Sequence, residues 1–181
     1  MLNKLLIGIS LVLIAVSIAF DVNYFNYSTP IAHSQNSDIT LSDFRGLKKI
    51  GQNLDGGNEF AFIETEIKKI KTNSGYTVKA LFHPSRSYVY KTNIIGGDKL
   101  LKHEVYHFHI TEYIARKLRK ELTEHKKDNI DIDNLLKEFK ALENQMQMEY
   151  DEETYHSYYV GKQLSWQKKI DSLLYTLNEY K

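Results

Sequence analysis

The stretch Leu100-Leu-Lys-His-Glu-Val-Tyr-His-Phe108 decides how the chain is interpreted, because it places His-Glu-x-x-His inside a segment of helical character. An α-helix turns by about 100° per residue, so His103 and His107 lie one turn apart on the same face. Two imidazoles placed in this way can bind one Zn²⁺ ion. Glu104 then lies beside the metal, where it can take a proton from a water ligand. The pattern is typical of zinc peptidases.

The residues around the motif fit a helix that lies buried beneath a cleft. Lys102 is the only charged residue between Leu100 and Phe108 apart from Glu104. His109 fits less well, because an apolar side chain suits a buried helix better at that position. The alternative is a pair of histidines that cap or pack on an amphipathic helix without metal.

Composition narrows the possible chemistry. A length of 181 residues suits one domain preceded by a targeting segment. The formal net charge of +1 indicates neither a nucleic-acid-binding surface nor an acidic tail, so no nucleic-acid partner is expected. The chain contains no cysteine, so any metal site must be built from His, Asp and Glu.

The N-terminus is predicted to direct export. Residues 1–20 combine Lys4 with an uncharged apolar run and a small-x-small site at Ser17-Ile-Ala19, which favours a cleaved signal peptide over an N-terminal membrane anchor. Either alternative places the rest of the chain outside the cytoplasm, as a periplasmic, extracellular or outward-facing anchored protein that meets the membrane only through this segment. Residues 21–38 are polar and lack periodicity, and are predicted to be a linker.

Residues 39–181 are predicted to form one α+β domain, in which a small antiparallel sheet precedes the His-Glu-x-x-His helix and two further helices. The alternation of apolar residues turns Ala61, Ile63 and Ile67 inward. On the next strand it does the same for Val78, Ala80 and Phe82. The stretch 41–46 is predicted to be a short strand that leads into a turn, and further strands are predicted at 60–70, 76–83 and 87–90. The predicted helices are 99–126, 133–150 and 162–180.

Charged residues outside the motif are expected to lie in solvent. The run Arg116-Lys-Leu-Arg-Lys120 is interpreted as a solvated helix face. His33, His83 and His125 are expected to be ordinary surface residues.

A catalytic zinc ion needs a third protein ligand, which the chain must supply after reversing direction. The segment Tyr150–His156 follows a helix long enough to run back along the first one, and it is expected at a helix break. His156 ranks first as the third ligand, Asp151 second and Glu112 third. Glu112 points away from the metal face, so a salt bridge or a supporting role suits it better. The candidates for stabilising an oxyanion are Tyr150, Tyr155 and, if it is not a ligand, His156.

Four motifs in order resemble one bacterial family. They are Leu41-Ser-Asp-Phe-Arg-Gly46, the stretch from Leu100 to Arg116, Tyr150-Asp-x-x-Thr-x-His156, and Gln163-x-x-Trp166. The chain is similar here to the family called domain of unknown function 922, regarded as predicted secreted zinc-dependent proteases. The resemblance spans nearly all of the predicted exported part.

The resemblance implies an exported, zincin-like metallopeptidase domain with His103 and His107 as zinc ligands and Glu104 as the base. It also favours the segment Tyr150–His156 as part of the site. Two positions depart from the expected pattern: His109 stands where Asp is expected, and Ser157 where Gly is expected after His156.

The expected function is therefore that of an exported zinc-dependent metalloprotease, a monomer with one Zn²⁺ per chain. Its peptide or protein substrate would be hydrolysed by a zinc-activated water with Glu104 as general base. The strand at 87–90 is expected to bind substrate backbone by strand addition. Two alternatives remain: a non-enzymatic exported binding module that keeps a zincin fold, and a zinc hydrolase of a non-protein amide.

Overall fold

The computed structural model describes residues 2–21, 27–35, 39–46, 61–73, 75–89, 97–125 and 131–181. Within these ranges the architecture is α+β, as predicted, with a small antiparallel sheet and four helices where three were predicted. The helices are α1 (Leu2–Asp21), α2 (Gly97–Glu124), α3 (Ile132–Thr154) and α4 (Val160–Thr176). The strands are β1 (Ile31–Ala32), β2 (Ala61–Phe62), β3 (Thr65–Thr72), β4 (Gly75–Phe82) and β5 (Tyr88–Val89).

The main sheet is built around a hairpin of β3 and β4. The two strands pair antiparallel from Thr65 opposite Phe82 to Thr72 opposite Gly75. Gly75 closes the hairpin with φ +128°, a conformation that side chains disfavour. The alternation of side chains buries one face against α2, and every residue predicted to point inward is buried: Ala61, Ile63, Ile67, Val78, Ala80 and Phe82.

The main sheet contains a strand, β1, that the sequence does not predict. Ile31 and Ala32 pair with Phe82 and Leu81 on β4, on the side opposite β3. These two residues lie in the range predicted to be a linker, and Ala32 is buried. The linker residues 22–26 and 36–38 lie outside the described ranges.

Two predicted strands are corrected. The strand 60–70 is split into β2 and β3, and β2 pairs with β5 in a separate ladder. The stretch 41–46 is not a strand but begins with a 3₁₀ turn, because the Thr40 amide and hydroxyl both donate to the Asp43 carboxylate, at 2.8 and 2.9 Å. It ends at Gly46, where a Cβ atom would lie 2.7 Å from the Ser87 carbonyl oxygen.

Helix α2 lies at the centre of the fold. It packs on β3 and β4 with one face and against α3 and α4 elsewhere, and its fully buried apolar residues are Phe108, Ile110, Ile114, Ala115 and Leu118. It begins at Gly97, two residues before the predicted start, and Asp98 lies in its first turn.

Helix α3 runs on past its predicted end. Its N-terminus is capped by Asp131, whose carboxylate accepts from the amides of Asp133 and Asn134. The helix continues through Asp151 to Thr154, so the break predicted at Tyr150 is wrong. Helix α4 ends at Thr176, before the predicted end, and a short 3₁₀ turn follows it.

The charged face predicted on α2 is also corrected. Arg116 is buried, and its Nε donates to Glu112 Oε1 at 2.8 Å, while a second nitrogen donates to the Leu174 carbonyl at 2.8 Å. Arg119 donates to the same carboxylate oxygen at 2.6 Å. Glu112 therefore lies in a buried salt bridge, because the end of α4 covers this part of α2.

Two histidines expected at the surface have specific partners. His33 Nε2 lies 2.9 Å from His109 Nδ1, and its ring packs on Phe108. Burial first, and then the charge of His109, lower the pKa of His33 to about 3. His83 lies 2.9 Å from the Glu66 carboxylate. His125 Nε2 lies 3.3 Å from Glu121 Oε1, and its side chain is half exposed, as predicted.

Among the described residues, the helices include none that is both long and apolar enough to cross a membrane.

Candidate metal centre

Helix α2 brings His103 and His107 together on one face, as their spacing predicts. Their Nε2 atoms lie 3.2 Å apart, and the rings are nearly perpendicular at 87°. His103 is buried and the His107 side chain is 12% exposed. Both imidazoles therefore present the same nitrogen to the space between α2 and α3.

Asp151 meets both of them from the last turn of α3. Its Oδ1 atom lies 3.0 Å from His103 Nε2 and 3.0 Å from His107 Nε2. Since α3 does not break at Tyr150, this carboxylate is carried by a helix rather than by a loop.

His156 lies at the edge of this group. Its Nδ1 atom is 3.5 Å from Asp151 Oδ1, and its side chain is 53% exposed. It belongs to a turn in which Tyr155, His156 and Ser157 all have left-handed backbones, with φ of 48°, 48° and 75°. Ser157 thus adopts at its position a conformation that favours the Gly expected there.

The donors and their spacing fit a divalent metal ion. Ligand atoms of His103, Asp151 and His156 all lie within 4.8 Å of one another, so this group could hold a metal ion. Four ligands at the bond lengths of tetrahedral zinc lie about 3.3–3.4 Å apart. The distances of 3.0, 3.2 and 3.5 Å between the converging atoms are close to that value. Imidazole and carboxylate are also ligands that zinc accepts.

Burial and mutual contacts shift the pKa values of His103, His107 and Asp151. Burial is the main cause that lowers the pKa of His103, to about 4. Burial also disfavours the charged form of His107, but the hydrogen bond and charge of Asp151, aided by Glu104, outweigh it and raise the pKa of His107 to about 9. Burial opposes ionisation of Asp151 too, yet its two histidine partners hold the pKa of this carboxyl below its usual range. The Asp151 carboxylate thus stabilises positive charge on His107.

Aromatic rings support the two histidines from behind. Tyr150 is fully buried and stacks on His103 with ring centroids 4.6 Å apart, and Trp166 packs on Tyr150 at 5.6 Å. The Tyr150 hydroxyl is buried and has no hydrogen-bond partner among the described residues. Tyr155 is 64% exposed and contacts Tyr158 and Tyr159. The described lining of the cavity includes neither Tyr150 nor Tyr155.

A cavity of about 360 Å³ opens over this group. Residues 61–65 form one wall, and Leu100 and the three motif residues lie at its base. Residues of α3 and His156 complete it. Glu104 is 5% exposed and lines this cavity. The wall belongs to β2 and the start of β3, whereas β5, within the stretch 87–90 expected to bind substrate, is not part of the described lining.

Four lining carboxylates give the cavity its charge: Glu64, Glu104, Glu143 and Asp151. Its described lining contains no lysine or arginine.

The sequence analysis missed Glu143 and Gln147, which share one face of α3 with Asp151 at intervals of four residues. Gln147 Oε1 lies 2.5 Å from His107 Nδ1. The interval of four was visible in the sequence, but it required α3 to extend beyond Tyr150.

Comparison with known proteins adds nothing to these observations. Neither models of protein families, nor curated proteins, nor solved structures match the chain. The resemblance of the four motifs to the family called domain of unknown function 922 therefore stays a prediction, and so does its zincin-like fold.

Proposed function

We propose that the chain is an exported zinc-dependent metallopeptidase in which His103, His107 and Asp151 hold one Zn²⁺ ion. The observation that carries this proposal is the convergence of His103 Nε2, His107 Nε2 and Asp151 Oδ1 within 3.0–3.2 Å at the base of a cavity that Glu104 also lines. Asp151 now ranks above His156 as the third ligand, because it contacts both motif histidines. His156 lies close enough to support Asp151 or to approach the metal.

Zinc held there would act as a Lewis acid and would acidify a water ligand. Glu104 is the residue proposed to move the proton, first accepting it from the nucleophile and then delivering it to the leaving amine. Burial at the base of the cavity suits this role, since a carboxylate sheltered from bulk water interacts more strongly with nearby charge.

Residues 61–65 are proposed to bind an extended peptide along the cavity wall. This segment, which contains β2 and the first residue of β3, lines the cavity beside the metal group, and extended peptides bind to strand edges through main-chain hydrogen bonds. A peptide or protein substrate is thus preferred to a non-protein amide. A monomeric state and the absence of a nucleic-acid partner remain predictions.

Export is proposed on the character of residues 1–20. Fusing residues 1–38 to a reporter that is active only outside the cytoplasm should give activity. N-terminal sequencing of the mature chain then distinguishes a cleaved signal peptide from a retained anchor.

The central experiment is Glu104→Gln in the full chain, with zinc content measured by elemental analysis and hydrolysis measured on casein and a peptide library. Zinc should stay bound while hydrolysis falls by about 10²–10⁴-fold, the usual contribution of a general base. Glu121→Gln is the matched control, because this glutamate lies on the same helix with a side chain 43% exposed.

The outcomes separate the alternatives. Wild-type protein that takes up no zinc when zinc is offered would refute the metallopeptidase. Zinc bound without hydrolysis of any peptide would favour the binding module instead.

A further inference from the structure

A polar network behind the metal group links α2, α3 and β3. Gln147 on α3 contacts His107, and Thr111 on α2 contacts both Gln147 and Glu143. Thr65 on β3 closes the network, with its hydroxyl oxygen 2.7 Å from that of Thr111. Every one of these side chains is at least partly buried, and Thr111 and Glu143 are buried most completely.

The contacts of Gln147 determine which way its amide points. Its Nε2 donates to the His107 carbonyl at 3.0 Å and to the Thr111 hydroxyl at 3.2 Å. Its Oε1 therefore faces His107 Nδ1, at 2.5 Å. An amide oxygen can only accept a hydrogen bond, so Nδ1 of His107 must carry hydrogen. Nε2 is then the nitrogen left to bind a cation.

The far end of the network holds this amide in place. The Thr111 hydroxyl lies 2.6 Å from Glu143 Oε1, closer than to any other acceptor among the described residues. It therefore donates its hydrogen bond to that carboxylate. Thr111 then accepts from both Thr65 and Gln147. Glu143 is buried and anchors the chain of hydrogen bonds.

His103 has no comparable polar support. Its Nδ1 atom is buried and makes no hydrogen bond to any residue that the structure describes. Its ring is held by the stack on Tyr150 instead. The polar network is therefore specific to His107.

We propose that Gln147 is a positioning residue that orients His107 and commits its Nδ1 atom as a donor, so that Nε2 faces the metal. The inference rests on the proposed zinc site, and concerns how that site is held together. Groups that hydrogen-bond to metal-binding histidines typically change metal affinity by about 10–100-fold when they are removed.

The test measures zinc affinity in the full chain by competition with a chromophoric chelator. Gln147→Met removes the acceptor at similar size, and is expected to weaken zinc binding by about 10–100-fold. Gln147→Glu keeps an acceptor for Nδ1, so its affinity should lie closer to that of the wild type. Gln145→Met is the control, because Gln145 is exposed on the same helix and bonds to Glu149.

A second readout does not depend on zinc. In histidine-labelled protein, proton–nitrogen NMR should show a protected Nδ1–H proton on His107, with and without zinc. Gln147→Met should lose this signal through exchange with water. If Gln147→Met fails to fold, Thr111→Val takes its place. It removes the hydroxyl that accepts from the Gln147 amide, and should weaken the same signal.

Several results would overturn the proposal. One is that Gln147→Met binds zinc with wild-type affinity and keeps the Nδ1–H signal of His107. The zinc site would then stand without any contribution from Gln147. Another is an equal loss in Gln147→Glu and Gln147→Met, because the acceptor would then not matter. A wild-type chain that binds no zinc refutes the proposed function instead, while the NMR signal of the metal-free chain still decides the role of Gln147.

Discussion

Asp151→Asn is the substitution that separates the two candidates for the third ligand. Structural zinc sites with four protein ligands have apparent binding free energies of about 10–16 kcal/mol, which corresponds to about 2.5–4 kcal/mol per ligand. Losing one ligand should therefore weaken binding by about 10²–10³-fold. Asp151 contacts both motif histidines at 3.0 Å, whereas His156 is 53% exposed and 3.5 Å from Asp151. His156→Ala should consequently cost no more than about tenfold.

The same substitution has a consequence in the metal-free chain. Asp151 is the main group that raises the pKa of His107, while burial acts to lower it. Without the carboxylate, burial is opposed only by the smaller effects of residues such as Glu104 and Gln147, so the pKa of His107 should fall from about 9. NMR titration of the imidazole measures this directly.

Two results would refute the reasoning. If His156→Ala costs more zinc affinity than Asp151→Asn, His156 is the third ligand. If the pKa of His107 stays near 9 in Asp151→Asn, the contact with Asp151 does not govern that imidazole. Isothermal titration with zinc at fixed pH gives both affinities on one scale.

Three further predictions concern stability. Glu112→Gln should lower the free energy of unfolding by about 3–5 kcal/mol in chemical denaturation, because it leaves two arginines without their buried carboxylate. Glu121→Gln, at an exposed position, should lower it by under about 0.5 kcal/mol. Equal losses in the two variants would contradict the burial of Glu112. Ser157→Gly should stabilise the fold by up to about 1 kcal/mol. The left-handed backbone costs a serine about 1–2 kcal/mol, and the larger conformational entropy that a glycine loses on folding offsets part of this gain. A loss of stability would argue against the left-handed backbone at this position. Between pH 6.5 and about 3 the unfolded chain binds a proton at His33 that the folded chain does not. The free energy of unfolding should therefore decrease as the pH is lowered, by up to about 1.4 kcal/mol per pH unit. His33→Gln should reduce this slope, measured from denaturation midpoints. A slope unchanged in that variant would contradict the role of His33.

Local periodicity predicted much of the fold. Alternation along β3 and β4 identified the buried face, and the four-residue spacing of His103 and His107 placed both rings together. Such patterns succeed because they depend on backbone geometry alone. They also required no knowledge of partners elsewhere in the chain.

What the sequence did not reveal depends on distant contacts. Arg116 resembles any solvated arginine until the Leu174 carbonyl, 58 residues away, covers it. Likewise, Asp151 seemed to lie in a loop because the polar run after Tyr150 resembles a helix end. Tertiary packing carries the helix on through that run, and it thereby aligns Asp151 with Gln147 and Glu143.

The pairing of His103 with Asp151 joins residues 48 positions apart on two different helices. In a chain without cysteine, a cation held there would be the cross-link that a disulfide supplies elsewhere. Because the unfolded chain would not hold these groups together, folding and metal supply would be thermodynamically linked. At a free zinc concentration of a hundred times Kd the folded state would gain about 2.7 kcal/mol. The melting temperature of the protein would then depend on the zinc concentration around it.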